Sequence, residues 1–199
     1  RCPFGHNSDI LSMDSEALLD DVELMDFLEK RKNLLEGVAI TGGEPLLRKD
    51  IEDLLVKIKE LGYLVKLDTN GNNPELLKRI VERKLVDYVA MDIKNSPERY
   101  AVTIGFEDFD LSKVEESKNF LLTGQVEYEF RTTVVKEFHD ADSFKEIGPW
   151  IEGAEKYFLQ TFVDREKVMF GGLSAYDKEE MEAFADIVSP YVKAIDIRG

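Results

Sequence analysis

Polar and charged residues stand at the ends of several apolar, strand-like runs in this chain of 199 residues. In parallel α/β architectures the carboxyl ends of the strands converge on one rim, and ligands bind there. Carboxylates on such a rim accept hydrogen bonds from ammonium and hydroxyl groups, and cations pair with a ligand carboxylate. The candidate residues are Gly42, Gly43, Glu44, Asp68, Thr69, Asp92, Lys94, Arg131 and Gln160.

Each of these signals has an ordinary structural explanation when it is taken alone. Gly-Gly-Glu-Pro at 42–45 and Thr-Asn-Gly at 69–71 both make good turns. Asp92 and Lys94 are two residues apart, so they share one face of a strand and could form a simple surface ion pair. Four or five such signals on a single rim favour a binding site over coincidence.

A second candidate region begins at Cys2, the one cysteine of the chain, in the run Cys-Pro-Phe-Gly-His-Asn at 2–7. A single cysteine excludes an intrachain disulfide framework and agrees with a reducing compartment. Without its neighbours, it would be read as a partly buried thiol. The chain begins at Arg1 rather than Met, directly inside this run, so we expect that an N-terminal piece of the native protein is missing.

The overall charge narrows the classes of partner. The formal net charge is −15, from 41 acidic and 26 basic residues. This acidity disfavours nucleic acid and anionic membranes as partners. No apolar run approaches the roughly 20 residues of a membrane span, and no signal peptide is visible. We therefore predict a cytoplasmic protein that binds neither nucleic acid nor membrane.

Apolar β-type runs alternate with amphipathic helical patterns along the whole chain, which predicts a parallel sheet with helices outside it. No linker divides the chain, so we predict one domain over 1–199. The pattern leaves open whether the sheet is flat or curved into a barrel. The predicted strands are Gly37–Thr41, Tyr63–Asp68, Val86–Asp92, Val126–Val135, Lys156–Phe162 and Val192–Ile197. The predicted helices are Ser15–Leu35, Lys49–Leu61, Pro74–Lys84, Leu111–Leu122, Ser143–Glu152 and Asp177–Tyr191.

The stretch Asn95–Asp110 is predicted to be a long loop that holds Tyr100, Phe106 and Phe109. Loops of this length are often lids or docking surfaces, although a plain covering loop is an equal alternative.

Together, the motifs identify a family resemblance. Cys-Pro-Phe-x-His-Asn, Thr-Gly-Gly-Glu-Pro, Asp-Thr-Asn-Gly, Met-Asp-Ile-Lys and the closing Ile-Arg-Gly resemble the radical S-adenosylmethionine activating proteins. The nearest subgroup is that of the anaerobic ribonucleoside-triphosphate reductase activating proteins, with the pyruvate formate-lyase activating enzymes close by. The resemblance implies a partial parallel (βα)6-type barrel, which in this chain would lack its first strand.

The resemblance also implies two cofactors, a 4Fe-4S cluster and S-adenosylmethionine. The family motif Cys-x3-Cys-x2-Cys holds the cluster with three thiolates and leaves one iron open. Cys2 matches the middle cysteine, and the first would precede Arg1. Gly5 occupies the position expected for the third, and glycine has no ligating group. The chain as given is therefore expected to be inactive.

The family's cofactor-binding roles fall on the rim candidates. Gly42 and Gly43 would let the methionine part of the cofactor approach the backbone, and Glu44 would accept its ammonium group. Asp68, Thr69, Asp92 and Lys94 would lie near the ribose and the carboxylate, and the three polar residues 68, 69 and 92 could also hold a monovalent cation. Asn7 would hydrogen-bond near the cofactor.

Two further residues would face the barrel interior, Arg131 and Gln160. Because an arginine inside a strand is costly unless it is paired, we expect Arg131 to pair with the cofactor carboxylate or with Glu44. No catalytic side chain is identified.

The resemblance implies that the chain generates a glycyl radical on a partner reductase and receives electrons from a small redox protein. Two alternatives remain open from the residues. One is a binding module that keeps the barrel but has lost the cluster. The other is an unrelated sugar-phosphate barrel, which would need a phosphate-binding loop, and Phe-Gly-Gly at 170–172 is a poor candidate for one.

Overall fold

A six-stranded, all-parallel sheet forms the centre of the protein. The computed structural model describes residues 20–163 and 172–199, and within them the strands follow the order β1-β2-β3-β4-β5-β6. The strands are β1 Gly37–Ile40, β2 Leu64–Thr69, β3 Tyr88–Asp92, β4 Glu127–Val134, β5 Tyr157–Thr161 and β6 Ile195–Arg198. The helices are α1 Asp21–Lys30, α2 Ile51–Glu60, α3 Pro74–Glu82, α4 Tyr100–Ile104, α5 Leu111–Leu122, α6 Ala141–Trp150 and α7 Lys178–Val188.

All six predicted strands form, and a helix lies in every connection between them. Parallel neighbours require such crossovers, because a short turn cannot return the chain to the start of the next strand. In the described part of the chain β1 pairs only with β2, and β6 pairs only with β5. The sheet is therefore open, and the partial parallel barrel is confirmed.

The two faces of the sheet differ in chemistry because successive side chains in a strand alternate. One face packs on the helices and is apolar: Val65, Leu67, Val89, Met91 and Phe130 all belong to the buried core. The opposite face, called here the inner face, is mostly polar. Its side chains include Lys66, Asp68, Tyr88, Asp92, Glu129, Arg131, Phe158, Gln160 and Arg198.

The helices are anchored by their own sequence signals. Asn73 caps α3 by accepting a hydrogen bond from the Leu76 amide, and Pro74 occupies the first turn. The helix predicted over Ser15–Leu35 is confirmed only as Asp21–Lys30, and the residues before 20 lie outside the described ranges. In the described residues no helix is long and apolar enough to cross a membrane.

The prediction of a long loop over Asn95–Asp110 is wrong. A 3₁₀ turn, Pro97–Arg99, leads into α4. The cause is aromatic packing: Tyr100 is buried, stacks on Phe109 with ring centroids 5.6 Å apart, and meets Trp150 edge-on at 6.1 Å. Single-sequence patterns underestimate such a short helix because its stability comes from these tertiary contacts.

The turn after β2 requires glycine at one position. Gly71 has a φ of +75°, which residues with a Cβ rarely adopt. A Cβ at this position would lie 2.3 Å from the Cε atom of the buried Met91. The Gly71 carbonyl also accepts a hydrogen bond from Ser117 Oγ at 2.7 Å, which ties the turn to α5.

We predict that Gly71→Ala destabilises the protein more than Gly124→Ala. Gly124 has nearly the same φ, +72°, but nothing lies within 4 Å of its virtual Cβ. Both variants carry the left-handed penalty of about 1–2 kcal/mol. Only Gly71→Ala adds overpacking against Met91, at about 1–3 kcal/mol. Urea unfolding measures both free energies, and equal losses would show that Met91 moves aside without cost.

Candidate functional site at the carboxyl rim

Arg131 is the centre of the candidate site. It lies on β4 directly opposite Asp92 of β3, and its Nε donates to Asp92 Oδ1 at 2.5 Å. Its Nη1 donates to Asp68 Oδ2 at 3.1 Å. One guanidinium therefore joins carboxylates of β2 and β3, and the expected pairing of Arg131 with Glu44 is not found. Burial would lower the pKa of Arg131, but the two carboxylates outweigh it and raise the pKa.

Lys94 completes this cluster just beyond the end of β3. Its Nζ lies 2.6 Å from Asp92 Oδ2, so both oxygens of Asp92 carry a cationic donor. Burial alone would raise the pKa of Asp92, but the charges of Lys94 and Arg131 hold it below its ordinary value of 3.8. We call Asp68, Asp92, Lys94 and Arg131 the rim cluster.

Glu44 ties the turn after β1 to the end of β2. Its carboxylate accepts hydrogen bonds from the Leu46 amide at 3.2 Å, Thr69 Oγ1 at 2.8 Å and the Asn70 amide at 2.7 Å. Burial raises the pKa of Glu44, and these three donors oppose the shift. A carboxylate has about four lone-pair sites, so one acceptor position is left for a ligand.

Two glycines shape the backbone beside Glu44. Gly42 has a φ of +148°, in the region that side chains with a Cβ rarely adopt. The turn they form separates β1 from the 3₁₀ turn Pro45–Leu47, which Glu44 caps through its side chain. The local sequence Gly-Gly-Glu-Pro therefore leaves open backbone beside a half-buried carboxylate.

Asp68 carries a buried acceptor that the described side chains do not satisfy. Its Oδ1 receives no hydrogen bond from the described residues, although Lys66 Nζ lies 3.2 Å away in an ion-pair contact. Gln160 lies on the same face of the sheet and accepts a long hydrogen bond, 3.4 Å, from Thr133 Oγ1. Thr69 instead turns its hydroxyl to Glu44.

A second charged cluster lies deeper on the inner face and was missed by the sequence analysis. Glu129, with only 3% of its side chain exposed, accepts two hydrogen bonds from Arg198 at 2.8 and 3.0 Å and one from Tyr88 at 2.9 Å. The Arg198 guanidinium also stacks 3.3 Å from the ring centre of Phe158. Polar residues at every second position of β4, Glu127 to Thr133, were the signal that could have revealed this cluster.

Lys66 joins the two clusters. Its Nζ lies 3.2 Å from Asp68 Oδ1 and 4.0 Å from Glu129 Oε1. An alternating series of charges therefore runs along the inner face from the rim to the edge strand β6. In order, the series is Lys94, Asp92, Arg131, Asp68, Lys66, Glu129 and Arg198.

The cysteine region cannot be placed on this frame. Cys2, Gly5 and Asn7 lie outside the described residues, so their predicted roles stay predictions. Across residues 20–163 and 172–199 no group of three or more His, Cys, Asp or Glu side chains could hold a metal ion. The space between Asp68 and Asp92, considered for a monovalent cation, is bridged by the Arg131 guanidinium.

The rim residues fit the chemistry of S-adenosylmethionine. The unsatisfied Asp68 Oδ1 suits a ribose hydroxyl, the remaining lone pair of Glu44 suits an ammonium, and the rim cations suit a carboxylate. The open backbone at Gly42 allows a ligand to approach closely. An open parallel α/β barrel with such a rim defines a cofactor-binding barrel protein.

The chain belongs to the Radical SAM superfamily, whose family model matches residues 1–116. Proteins of this superfamily use a 4Fe-4S cluster and S-adenosylmethionine as cofactors. A relative from Methanocaldococcus jannaschii, provisionally named a glycyl-radical enzyme activating enzyme, is 29% identical over 213 residues. The match spans all of this chain and 84% of that protein.

Two solved structures share the fold. A domain of pyruvate-formate lyase-activating enzyme from Bacteroides vulgatus superposes with a TM-score of 0.66 at 18% identity, over 82% of this chain and 99% of that one. Streptococcus suis SuiB bound to S-adenosylmethionine superposes with a TM-score of 0.77 at 13% identity, over all of this chain and 47% of that one. At these identities the likeness establishes the fold alone.

We predict that Arg131→Met destabilises the protein at neutral pH by up to about 3–5 kcal/mol, because two largely buried carboxylates lose their shared cation. The loss should shrink as the pH falls below about 4. Asp92, whose pKa is lowered from 3.8, contributes stability above that range, and protonation removes this contribution. Denaturant unfolding between pH 3 and pH 7 measures the change.

The matched control for this experiment is Arg79→Met, which breaks an ion pair with Glu52 at an arginine whose side chain is 54% exposed. Its cost should be much smaller than that of Arg131→Met at every pH, because exposed ion pairs contribute little to stability. Equal losses in the two variants would contradict the central role of Arg131.

Proposed function

We propose that this chain is the radical-generating domain of a glycyl-radical activating enzyme. The observation that supports it best is the gathering of Glu44, Asp68, Asp92, Lys94 and Arg131 at one rim. The Methanocaldococcus jannaschii relative, which matches the chain along its whole length, gives the direction of the chemistry. We propose that residues 1–199 form a single domain.

The rim would bind the methionyl part of S-adenosylmethionine through opposite charges. Gly42 and Gly43 would give the backbone access, and Glu44 would accept the ammonium group. Lys94 and Arg131 would face the carboxylate. Since each already pairs with Asp92, the carboxylate would join an existing network and would not need bare cations.

The sugar would lie nearer to β2 and β5. Asp68 Oδ1 is a buried acceptor that receives no hydrogen bond from the described residues and has the Lys66 ammonium in an ion-pair contact. A ribose hydroxyl would supply the missing hydrogen bond. Thr69 would act indirectly, because its hydroxyl orients Glu44. Gln160 would offer its amide from the far side of the inner face, and Asn7 would hydrogen-bond near the cofactor.

The cluster, when bound, would supply the electron that cleaves the sulfonium and yields a 5′-deoxyadenosyl radical. Cys2 would be one of its thiolate ligands, and Gly5 offers no ligating atom at the position where a second is expected. The chain as given would then lack activity. The missing thiolate at Gly5 also favours a second candidate function, in which the same barrel is a cluster-free module that binds S-adenosylmethionine or a protein.

The target of the radical would be a glycine of a partner reductase, and we propose an anaerobic ribonucleotide reductase. A small redox protein would supply the electron in the cytoplasm. The charge of −15 agrees with protein partners and disfavours nucleic acid.

We expect Glu44→Ala to weaken S-adenosylmethionine binding by about 1–3 kcal/mol, the usual cost of losing a hydrogen bond to a charged group. Isothermal titration calorimetry measures the affinity. Glu75→Ala is the matched control, because this exposed carboxylate lines the same surface depression as Glu44. Unchanged affinity in a folded Glu44→Ala protein would refute the role of Glu44.

The cluster assignment predicts the outcome of restoring the ligands. An N-terminal extension that places a cysteine four residues before Cys2, combined with Gly5→Cys, should bind a 4Fe-4S cluster and release 5′-deoxyadenosine under reducing, oxygen-free conditions. The extension with Gly5 retained should do neither, because one of three thiolates is missing.

Iron and sulfide analysis and chromatography of the products measure both effects. Cleavage by the Gly5 form would show that the ligand assignment is mistaken. Failure of the three-cysteine form after reconstitution would favour the binding module over the enzyme.

A further inference from the structure

Beyond the last residues of β3 and β4, side chains take over the hydrogen bonding between the two segments. The Ile93 amide donates to the Arg131 carbonyl at 2.8 Å, which is the final backbone bond of this pair. The next two backbone carbonyls of this segment, those of Ile93 and Lys94, are instead hydrogen-bonded by side chains. Thr132 Oγ1 donates to the Ile93 carbonyl at 2.7 Å, and the Nε2 nitrogen of His139 lies 2.8 Å from the Lys94 carbonyl.

The ring of His139 is fixed on both of its nitrogens. The Lys94 carbonyl can only accept a hydrogen bond, so the Nε2 nitrogen 2.8 Å from it carries the proton of the neutral ring. Nδ1 then accepts from the Val135 amide at 3.1 Å, and the Val135 carbonyl lies 3.2 Å from it. The residue is 1% exposed, and its ring stacks on Phe144 with centroids 6.1 Å apart. Its own carbonyl accepts a bond from the Tyr176 hydroxyl at 2.6 Å.

We propose that His139 is a positioning residue for the rim cluster: its Nε2–H group holds the backbone of Lys94 so that the Lys94 ammonium stays against Asp92. The ammonium and the carbonyl belong to the same residue, and the ammonium lies 2.6 Å from Asp92 Oδ2. Releasing the carbonyl frees the backbone from which the side chain extends. The pair would then lose the geometry in which it meets a ligand carboxylate, a step that rests on the function proposed above.

The contact with Lys94 depends on a proton on Nε2, which both the neutral and the protonated imidazole carry. A protonated ring would also donate from Nδ1, and the Val135 carbonyl lies 3.2 Å from that nitrogen. Burial lowers the pKa of His139, and the facing charges of Asp140 and Arg99 respectively raise and lower it. The backbone carbonyls of Lys94 and Val135 also favour the protonated ring, but burial outweighs them. The ring is thus neutral at pH 7 and ready to hold Lys94.

The experiment measures the pKa of Asp92 directly, without any ligand. In His139→Leu, carbon-detected NMR titration should show a higher Asp92 pKa than in the wild type, because the Lys94 ammonium has moved away. His139→Gln, whose amide can still donate to the Lys94 carbonyl, should restore most of the wild-type value. Tyr176→Phe is the control, because it removes a neighbouring hydrogen bond and leaves the imidazole in place.

A purely structural histidine would change the stability of these variants but would leave the Asp92 pKa of the folded protein unchanged, and that result would overturn the proposal. If His139→Leu does not fold, nitrogen NMR of the wild-type imidazole decides the question. The Nε2–H tautomer at pH 7 is expected, and the Nδ1–H tautomer would refute the proposal.

Calorimetry with S-adenosylmethionine measures the effect of His139 on ligand affinity. We expect affinity to fall roughly tenfold in His139→Leu, at the low end of losses seen when the supporting partner of a ligand-binding residue is removed. If the wild type does not bind S-adenosylmethionine at any pH, the proposed function fails, while the Asp92 titration still tests His139.

Discussion

The bridge that Arg131 makes between Asp68 and Asp92 is the interaction on which the inner face depends. Three neighbouring strands bring charged side chains to a surface that is partly shielded from water, where an isolated charge would be costly. The guanidinium is suited to this position because its planar fork reaches two carboxylates at once and stays protonated. Lys94 pairs with Asp92 on one side of the bridge and Lys66 pairs with Asp68 on the other, so each carboxylate has a second cation. The inner face therefore stays polar without leaving a net charge unpaired at its centre.

This organisation suits the proposed ligand, which carries both charges, even though the protein is strongly acidic. The carboxylates of the rim cluster are held by cations of the chain itself, so a zwitterionic ligand can exchange partners with them. The turn around Glu44 adds an acceptor that is already oriented by three donors. Because these bonds exist before any ligand arrives, little side-chain ordering remains to be done on binding.

The sequence was a good guide to the strands and a partial guide to the rim. Period-two and helical patterns located all six strands, because burial on one or both faces leaves a clear trace in the sequence. The polar residues at the strand ends stood out because they follow these apolar runs, and Asp92 does pair with Lys94 and Arg131. The sequence could not predict which carboxylates Arg131 pairs with. From the sequence, the expected partners of Arg131 were the cofactor carboxylate or Glu44. The strand register instead places Arg131 opposite Asp92 of β3 and within reach of Asp68 of β2.

The residues that were missed share one property: their roles arise from contacts between distant parts of the chain. Glu129 reads as one more acidic residue of a strand until Arg198, 69 positions later, closes on it. His139 lies in a turn, and nothing local shows that its ring reaches the backbone of Lys94. The helix α4 was taken for a loop because Trp150, which packs against it, is far away in sequence.

The strand order has a consequence for how the protein is made. Each strand after β1 pairs with the strand that precedes it in the chain; Gly37 of β1, for example, lies opposite Leu64 of β2. No strand pairing therefore requires a segment from a distant part of the sequence. Loop closure between successive strands costs little compared with closing the whole chain. As the chain leaves the ribosome from its N-terminal end, the sheet can grow by one strand at a time. The Arg131 bridge forms once four strands have docked, whereas the clasp of Arg198 on Glu129 is closed only by the last strand.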